Sequence, residues 1–247
     1  MKAVFVRYLP LLIVAIAWEL ISRSGLISQF ALPPLSHVLT SWWSLAKDGT
    51  LLANGESSLW RVASGLGLAI IFGTTAGIAM AWYPTARTIV NPVIQLFYPM
   101  PKSALIPVMI LWFGIGDMSK IVLIFIGCML PIVISSYNGA RGVDHVYVWS
   151  ALSLGASRRK ILWQIVIPGA MPEVLTGIRT AIAISFVLLI ASELLISRNG
   201  LGYLVSSFGD GGVYPSMFAV ILTVVFMGFC ADRIFQWAMS RILIWRQ

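Results

Sequence analysis

The chain has 247 residues, of which 59% are apolar and 11% charged, with a mean hydropathy of +0.90. A water-soluble domain carries about 45–50% apolar and ~25% charged residues, so this composition excludes an ordinary soluble enzyme, a disordered chain and a small secreted scaffold, and leaves a polytopic membrane protein. The net charge of +8 would suggest nucleic acid in a soluble protein. Here Lys and Arg lie between apolar runs and read as membrane-orienting charge, with the lipid bilayer as partner and no nucleic acid.

A spanning helix needs about 20 mainly apolar residues, and six apolar runs read as spans, the first of them short. The first, Tyr8–Ile21, follows Lys2 and Arg7. It resembles a signal peptide, but Glu19 interrupts its end and no A-x-A site follows, so it reads as an uncleaved helix. The loop 23–58 contains Leu35–Leu52, whose Trp42 and Trp43 suggest a helix resting at the membrane interface. The second run, Leu59–Tyr83, carries Gly65, Ala69, Gly73, Gly77 and Ala81, a small residue at every fourth position. Such a ladder lets another helix approach closely.

The third run, Val93–Gly114, holds Pro99, Pro101 and Pro107 around Lys102. Proline removes a backbone donor and breaks helices, and broken backbone at membrane depth survives only inside protein or beside water. The fourth run is Lys120–Tyr137, the fifth Val174–Ile196 and the sixth Met217–Trp237. Six spans put both ends on one side. That side gathers ten Lys and Arg residues against five on the other, so both termini are expected to be cytoplasmic and the 23–58 loop external. There is no inverted repeat of the kind many secondary transporters carry. One membrane domain, 1–247, accounts for the chain: 1–56 as first helix and external segment, 57–237 as core.

Residues 138–172 are too long for a minimal turn. Helix formers flank Gly155, Ser157 is a suitable N-cap for a helix starting at Arg158, and Pro168 is expected to stop it. The reading is a short helix, a turn at Gly155, a second short helix and a basic tip, Arg158-Arg159-Lys160. Leu154-Gly155-Ala156-Ser157, followed by Ile167-Pro168 and Gly177-Ile178-Arg179, resembles the EAA loop of ABC importer permeases. Leu32-Pro33-Pro34, Ser57–Arg61, Leu111–Gly116, Ala191-Ser192-Glu193 and Gly200-Leu201-Gly202 resemble the nitrate/sulfonate/taurine branch of that family. One departure stands out: Trp149-Ser150-Ala151 occupies the E-A-A positions, so an indole replaces the acidic residue.

The resemblance implies the all-α, about six-helix fold of a type I importer transmembrane domain and a second permease copy, a homodimer, to complete the pathway. It also implies an ATPase dimer docked at Leu152, Ser153, Leu154, Gly155, Ala156, Ser157, Arg158 and Arg159, an external substrate-binding protein, and the cytoplasmic (inner) membrane of a bacterial-type cell. ATP and Mg would belong to the partner. No Gly-Lys pair occurs in the chain, so it lacks the phosphate-binding P-loop. Organic sulfonates, nitrate or related anions are the implied cargo; thiamine or riboflavin precursors are the alternative, and an ATP-independent transporter the other class.

Intramembrane polar residues have two readings each. Lys102 attracts an anion or snorkels to the interface. Glu193 gates the path or bonds to a neighbouring helix. Arg179 and Pro168 brace the loop, Arg179 by pairing with Glu173 or Asp144, or serve as simple interfacial features. Ser135, Ser136 and Asn138 form a polar exit or bond within the bundle. Cys128 and Cys230 read as small core hydrophobes. With His37 and His145 far apart in sequence, no metal site or cofactor is expected on this chain.

Overall fold

The computed structural model describes residues 2–246, with side chains from Leu9 onward except Leu11 and Arg246. Among these, eleven α-helices follow in order: α1 Lys2–Arg23, α2 Leu35–Lys47, α3 Thr50–Trp82, α4 Pro84–Phe97, α5 Ile106–Phe113, α6 Asp117–Arg141, α7 His145–Ser153, α8 Arg158–Ile161, α9 Ile167–Leu195, α10 Leu201–Asp210 and α11 Tyr214–Ile242. Three helical segments are long and apolar enough to cross a membrane by themselves (α3, α6 and α11), and a fourth is the continuous run Arg158–Leu195. The third apolar run is a bent pair: α4 and the segment Lys102–Phe113 meet at 92°. Pro99 and Pro101 lie at that corner, where helical hydrogen bonding is forfeited. The first expected span coincides with α1, whose opening side chains lie outside the described set.

The chain divides into two compact units, 1–58 with 193–226 and 59–192 with 227–247. In the first, α1 is tied to the following segment. The Trp18 indole donates to the Pro33 carbonyl (2.9 Å) and Ser22 Oγ to that of Leu32 (2.6 Å). Glu19 bridges Arg23 and Ser36. The helix α2 ends at Lys47, earlier than the expected Leu52, because Gly49 takes a left-handed φ of +79° and α3 begins at Thr50. Val38 of α2 is fully buried and Trp42 donates to Thr223 Oγ1 (3.0 Å), so α2 packs on protein.

In the second unit the small-residue ladder of α3 is filled by α6 of the same chain. A Cβ on Gly65 would lie 2.7 Å from the Ile121 carbonyl oxygen, one on Gly73 2.9 Å from the Ile132 side chain, and one on Gly77 2.5 Å from the Val133 carbonyl oxygen. The advancing register, 65 with 121, 73 with 132 and 77 with 133, makes α3 and α6 parallel neighbours. The ladder is therefore an intrachain seam, not a surface left for a second copy. Cys128 is buried in this core and its thiol faces the Ala181 carbonyl at 3.3 Å.

Candidate functional site

The 138–172 segment folds as the sequence indicates up to Ile161. Asp144 caps α7, accepting from the Val146 N–H at 2.9 Å. The helix closes on Gly155, at φ +81°. The Ala156 N–H reaches the Ala151 carbonyl (3.0 Å) and the Gly155 N–H that of Leu152 (2.9 Å). This pair is the Schellman closure that a left-handed residue permits. Ser157 then caps α8, accepting from the Lys160 N–H at 3.3 Å.

Between the two helices a tip projects. Leu154 is 87% exposed and Leu152 47%. Ser153, Gly155, Ser157, Arg158 and Arg159 are exposed and Ala156 is half-buried. Ile161 is buried, anchoring the tip to the core. Trp149, 64% exposed, stacks on His145 one turn earlier, with ring centres 5.9 Å apart. The indole at the acidic position is thus an outward-facing apolar group. An exposed leucine tip beside three cations is poorly suited to water alone and well suited to an apolar socket with an acidic rim.

The expected stop at Pro168 does not occur. Helix α8 passes through a π-helical turn, Leu162–Val166, into α9. Proline lacks an N–H and its ring crowds the carbonyl four residues earlier, here that of Gln164. The wider turn absorbs that conflict and lets the helix continue.

Arg179 also departs from expectation. Its guanidinium donates to both carboxylate oxygens of Asp232 on α11, at 2.7 and 3.2 Å, not to Glu173 or Asp144. Gln236 donates to the same carboxylate. Glu173 instead borders the close approach of α6 and α9: a Cβ on Gly139 would meet its Cβ at 2.7 Å. Ser135 is half-buried against Gly177, where an added Cβ would lie 2.5 Å from its own Cβ. Asn138 is exposed and lines a cleft of about 720 Å³ with Tyr147, Glu173 and Trp245. Ser136 is fully buried. Lys102 is half-buried, and its ammonium donates to the Tyr98 carbonyl at 2.8 Å and lies 6.0 Å from the Tyr98 ring centre.

In the first unit, three motifs that are scattered in sequence converge. Glu193 (1% exposed) and Ser58 (0%) form a buried pair, the Ser58 Oγ lying 2.9 Å from both carboxylate oxygens. The Gly202 N–H donates to Glu193 Oε2 and the Leu201 N–H to Ser58 Oγ, each at 2.9 Å. Asn54 Oδ1 accepts from the Gly200 N–H at 2.8 Å. The orphan amides at the start of α10 are thereby satisfied, by a carboxylate that also complements the helix's positive end. Gly200 sits at φ +111°, and a Cβ there would lie 2.5 Å from the Glu193 carboxylate. The sequence carried each motif but not their meeting. Within the second unit, Arg61 of α3, 2% exposed, pairs with Asp117 at 2.6 Å.

Residues 69–244 match the family described as binding-protein-dependent transport system inner membrane component. The chain is 36% identical over 233 residues to the taurine transport system permease protein TauC of Escherichia coli (strain K12), covering 92% of this chain and 85% of that one. It is 30% identical over 238 residues to the putative aliphatic sulfonates transport permease protein SsuC of Bacillus subtilis (strain 168), covering 96% and 86%. Its fold matches a chain of the inward-facing MetNI methionine ABC transporter with a TM-score of 0.65, at 17% identity, over 80% of this chain and 96% of that one. The helices, with no strand among the described residues, the exposed knob and these likenesses define a multi-pass inner-membrane transport component. The chain belongs to the binding-protein-dependent ABC importer permeases, of the sulfonate/taurine type. It is a transport subunit and not an enzyme; ATP hydrolysis belongs to a separate subunit of such systems.

Proposed function

We propose that this permease, as one half of a homodimer, forms the path by which a small organic sulfonate or related anion enters the cell. The exposed Leu152–Lys160 tip carries this reading. It is held rigidly by the Gly155 closure and the Ser157 cap, and it offers leucine and cations to a partner. A cytoplasmic ATPase dimer, holding ATP and Mg, docks there. An external binding protein delivers the cargo to the opposite face. Closure of the ATPase dimer moves the tip, and the stiff helix Arg158–Leu195 transmits that movement to the membrane core. The nucleotide shifts the equilibrium only through its different affinity for the two states.

Both termini are placed in the cytoplasm by the excess of Lys and Arg on their side. The names of the relatives, taurine and aliphatic sulfonates, favour a sulfonate over a vitamin precursor. Lys102, at the break between α4 and α5, supplies a positive charge beside broken backbone, and Ser135 and Asn138, near the C-terminal end of α6, are assigned to a polar exit. The burial of Glu193 supports a bracing role for it over a gating one. Reconstitution of the permease with its ATPase and binding protein in proteoliposomes, followed by radiolabelled taurine uptake, tests the reading. ATP-dependent accumulation supports it. ATP-independent uptake by the permease by itself overturns it.

A further inference from the structure

Beyond the knob, the second unit holds a cleft of about 520 Å³ where the C-terminal end of α3, the start of α4 and the C-terminal end of α6 meet. Arg87 of α4 and Arg141 of α6 both line it, with Tyr137, Thr88 and Asn91 as further polar groups. Each guanidinium carbon lies 5.7 Å from the centre of the one Tyr137 ring. Arg141 Nη1 also donates to the Tyr137 hydroxyl at 3.1 Å.

Among the described residues neither arginine has an ion pair. Two like charges are thus gathered on a single aromatic ring with no carboxylate to offset their repulsion. Cation–π attraction at partly exposed sites is worth only about 0.5–1 kcal/mol, whereas guanidinium forks match phosphate oxygens with paired charge-assisted hydrogen bonds. The cleft's floor is apolar, from Met80, Ala81 and Trp82. Helices α3 and α6, whose C-terminal ends wall the cleft, are each long and apolar enough to cross a membrane, which sets the cleft near the level of lipid headgroups. No residue of α4 is buried.

We propose that this cleft binds the phosphate head of an anionic phospholipid, with Arg87 and Arg141 as the phosphate ligands and the apolar lining from Met80, Ala81 and Trp82 against the start of an acyl chain. Basic pockets between membrane helices suit such headgroups. The site holds the bend between α3 and α4 in place through the lipid. A soluble phosphate ester offers the same head but lacks the chain that the apolar lining would accept, so the two sources separate by experiment.

The test is native mass spectrometry of the full chain in detergent, titrated with dioleoyl phosphatidylglycerol, with dioleoyl phosphatidylcholine or with sn-glycerol 1-phosphate as probe. Phosphatidylglycerol adducts should form preferentially over phosphatidylcholine. They should weaken by about tenfold for each arginine removed in Arg87→Gln and Arg141→Gln. Removing equal charge elsewhere, in Arg233→Gln with Arg241→Gln, should leave them nearly unchanged. Melting temperatures of all variants should agree, and Arg87→Lys with Arg141→Lys should restore part of the binding. Equal losses in the two double variants, no preference between the lipids, or equally strong binding of glycerol phosphate would each overturn the proposal.

Discussion

The Ser58 hydroxyl lies 2.9 Å from both oxygens of the Glu193 carboxylate while its own oxygen accepts from the Leu201 N–H, so two residues 135 positions apart jointly cap one helix. Glu193→Ala leaves the Ser58 hydroxyl and the Gly202 amide without their buried acceptor. Each such loss costs about 1–3 kcal/mol. Glu193→Gln keeps one acceptor oxygen and should lose less. Thermal unfolding of the detergent-solubilised chain should rank wild type above Glu193→Gln and Glu193→Gln above Glu193→Ala. Equal midpoints would contradict the bracing role.

Glycine substitutions should divide sharply by position. Gly200→Ala must place a methyl 2.5 Å from the Glu193 carboxylate at φ +111°, a conformation L side chains rarely adopt. Loss of stability of about 1–3 kcal/mol is expected. Gly67→Ala, in the interior of α3 with nothing within 4 Å of the added Cβ, should be neutral or stabilise by up to about 1 kcal/mol. Unfolding midpoints of the pair check this; equal effects would refute it.

The α3–α6 seam predicts a separation of folding from dimerisation. Gly77→Val drives a side chain into the Val133 carbonyl and the Ser136 side chain and should cost about 1–3 kcal/mol or more. The folded fraction should still pair with a second copy, because the ladder faces the chain's own helix. Size-exclusion chromatography with light scattering reads both properties. A folded variant that is strictly monomeric would contradict the intrachain assignment.

Changes at the knob should act on coupling, not on folding. A Cβ added at Gly155 meets no atom within 4 Å, but Gly155→Val strains a backbone at φ +81°, and Leu154→Glu alters a side chain 87% exposed. Leu154→Glu should leave the unfolding midpoint within about 0.5 kcal/mol of wild type. Both variants should lower transport per ATP hydrolysed in the reconstituted complex by at least severalfold. Normal coupling ratios would remove the docking assignment.

Local signals were legible in the sequence. The Gly155 turn and the Ser157 cap follow from single residues acting within four positions, and both formed as expected. The broken third run was legible from its prolines. Features that depend on packing were not. Pro168 looked like a stop because a π-helical turn leaves no clear pattern in sequence. Arg179 seemed destined for a nearby carboxylate, but its partner, Asp232, is 53 residues away and is supplied by the packing of α9 on α11. The early start of α3 was missed because Asn54–Ser58 is polar and resembles a loop by hydropathy, although its Asn54 and Ser58 serve α10. Glu193 illustrates the limit most clearly: a buried carboxylate and a gating carboxylate read alike until the Gly200 and Gly202 backbone is brought beside it.

The most direct test of the account is site-specific photo-crosslinking in membranes that contain the co-expressed ATPase. A photoreactive residue at Leu154, on the exposed tip, should yield one adduct with the ATPase subunit. The same residue at Val225, an exposed position on the long apolar helix α11, should yield none. Absence of the Leu154 adduct, or equal adducts from both positions, would contradict the proposal that this chain receives its driving force through the Leu152–Lys160 tip.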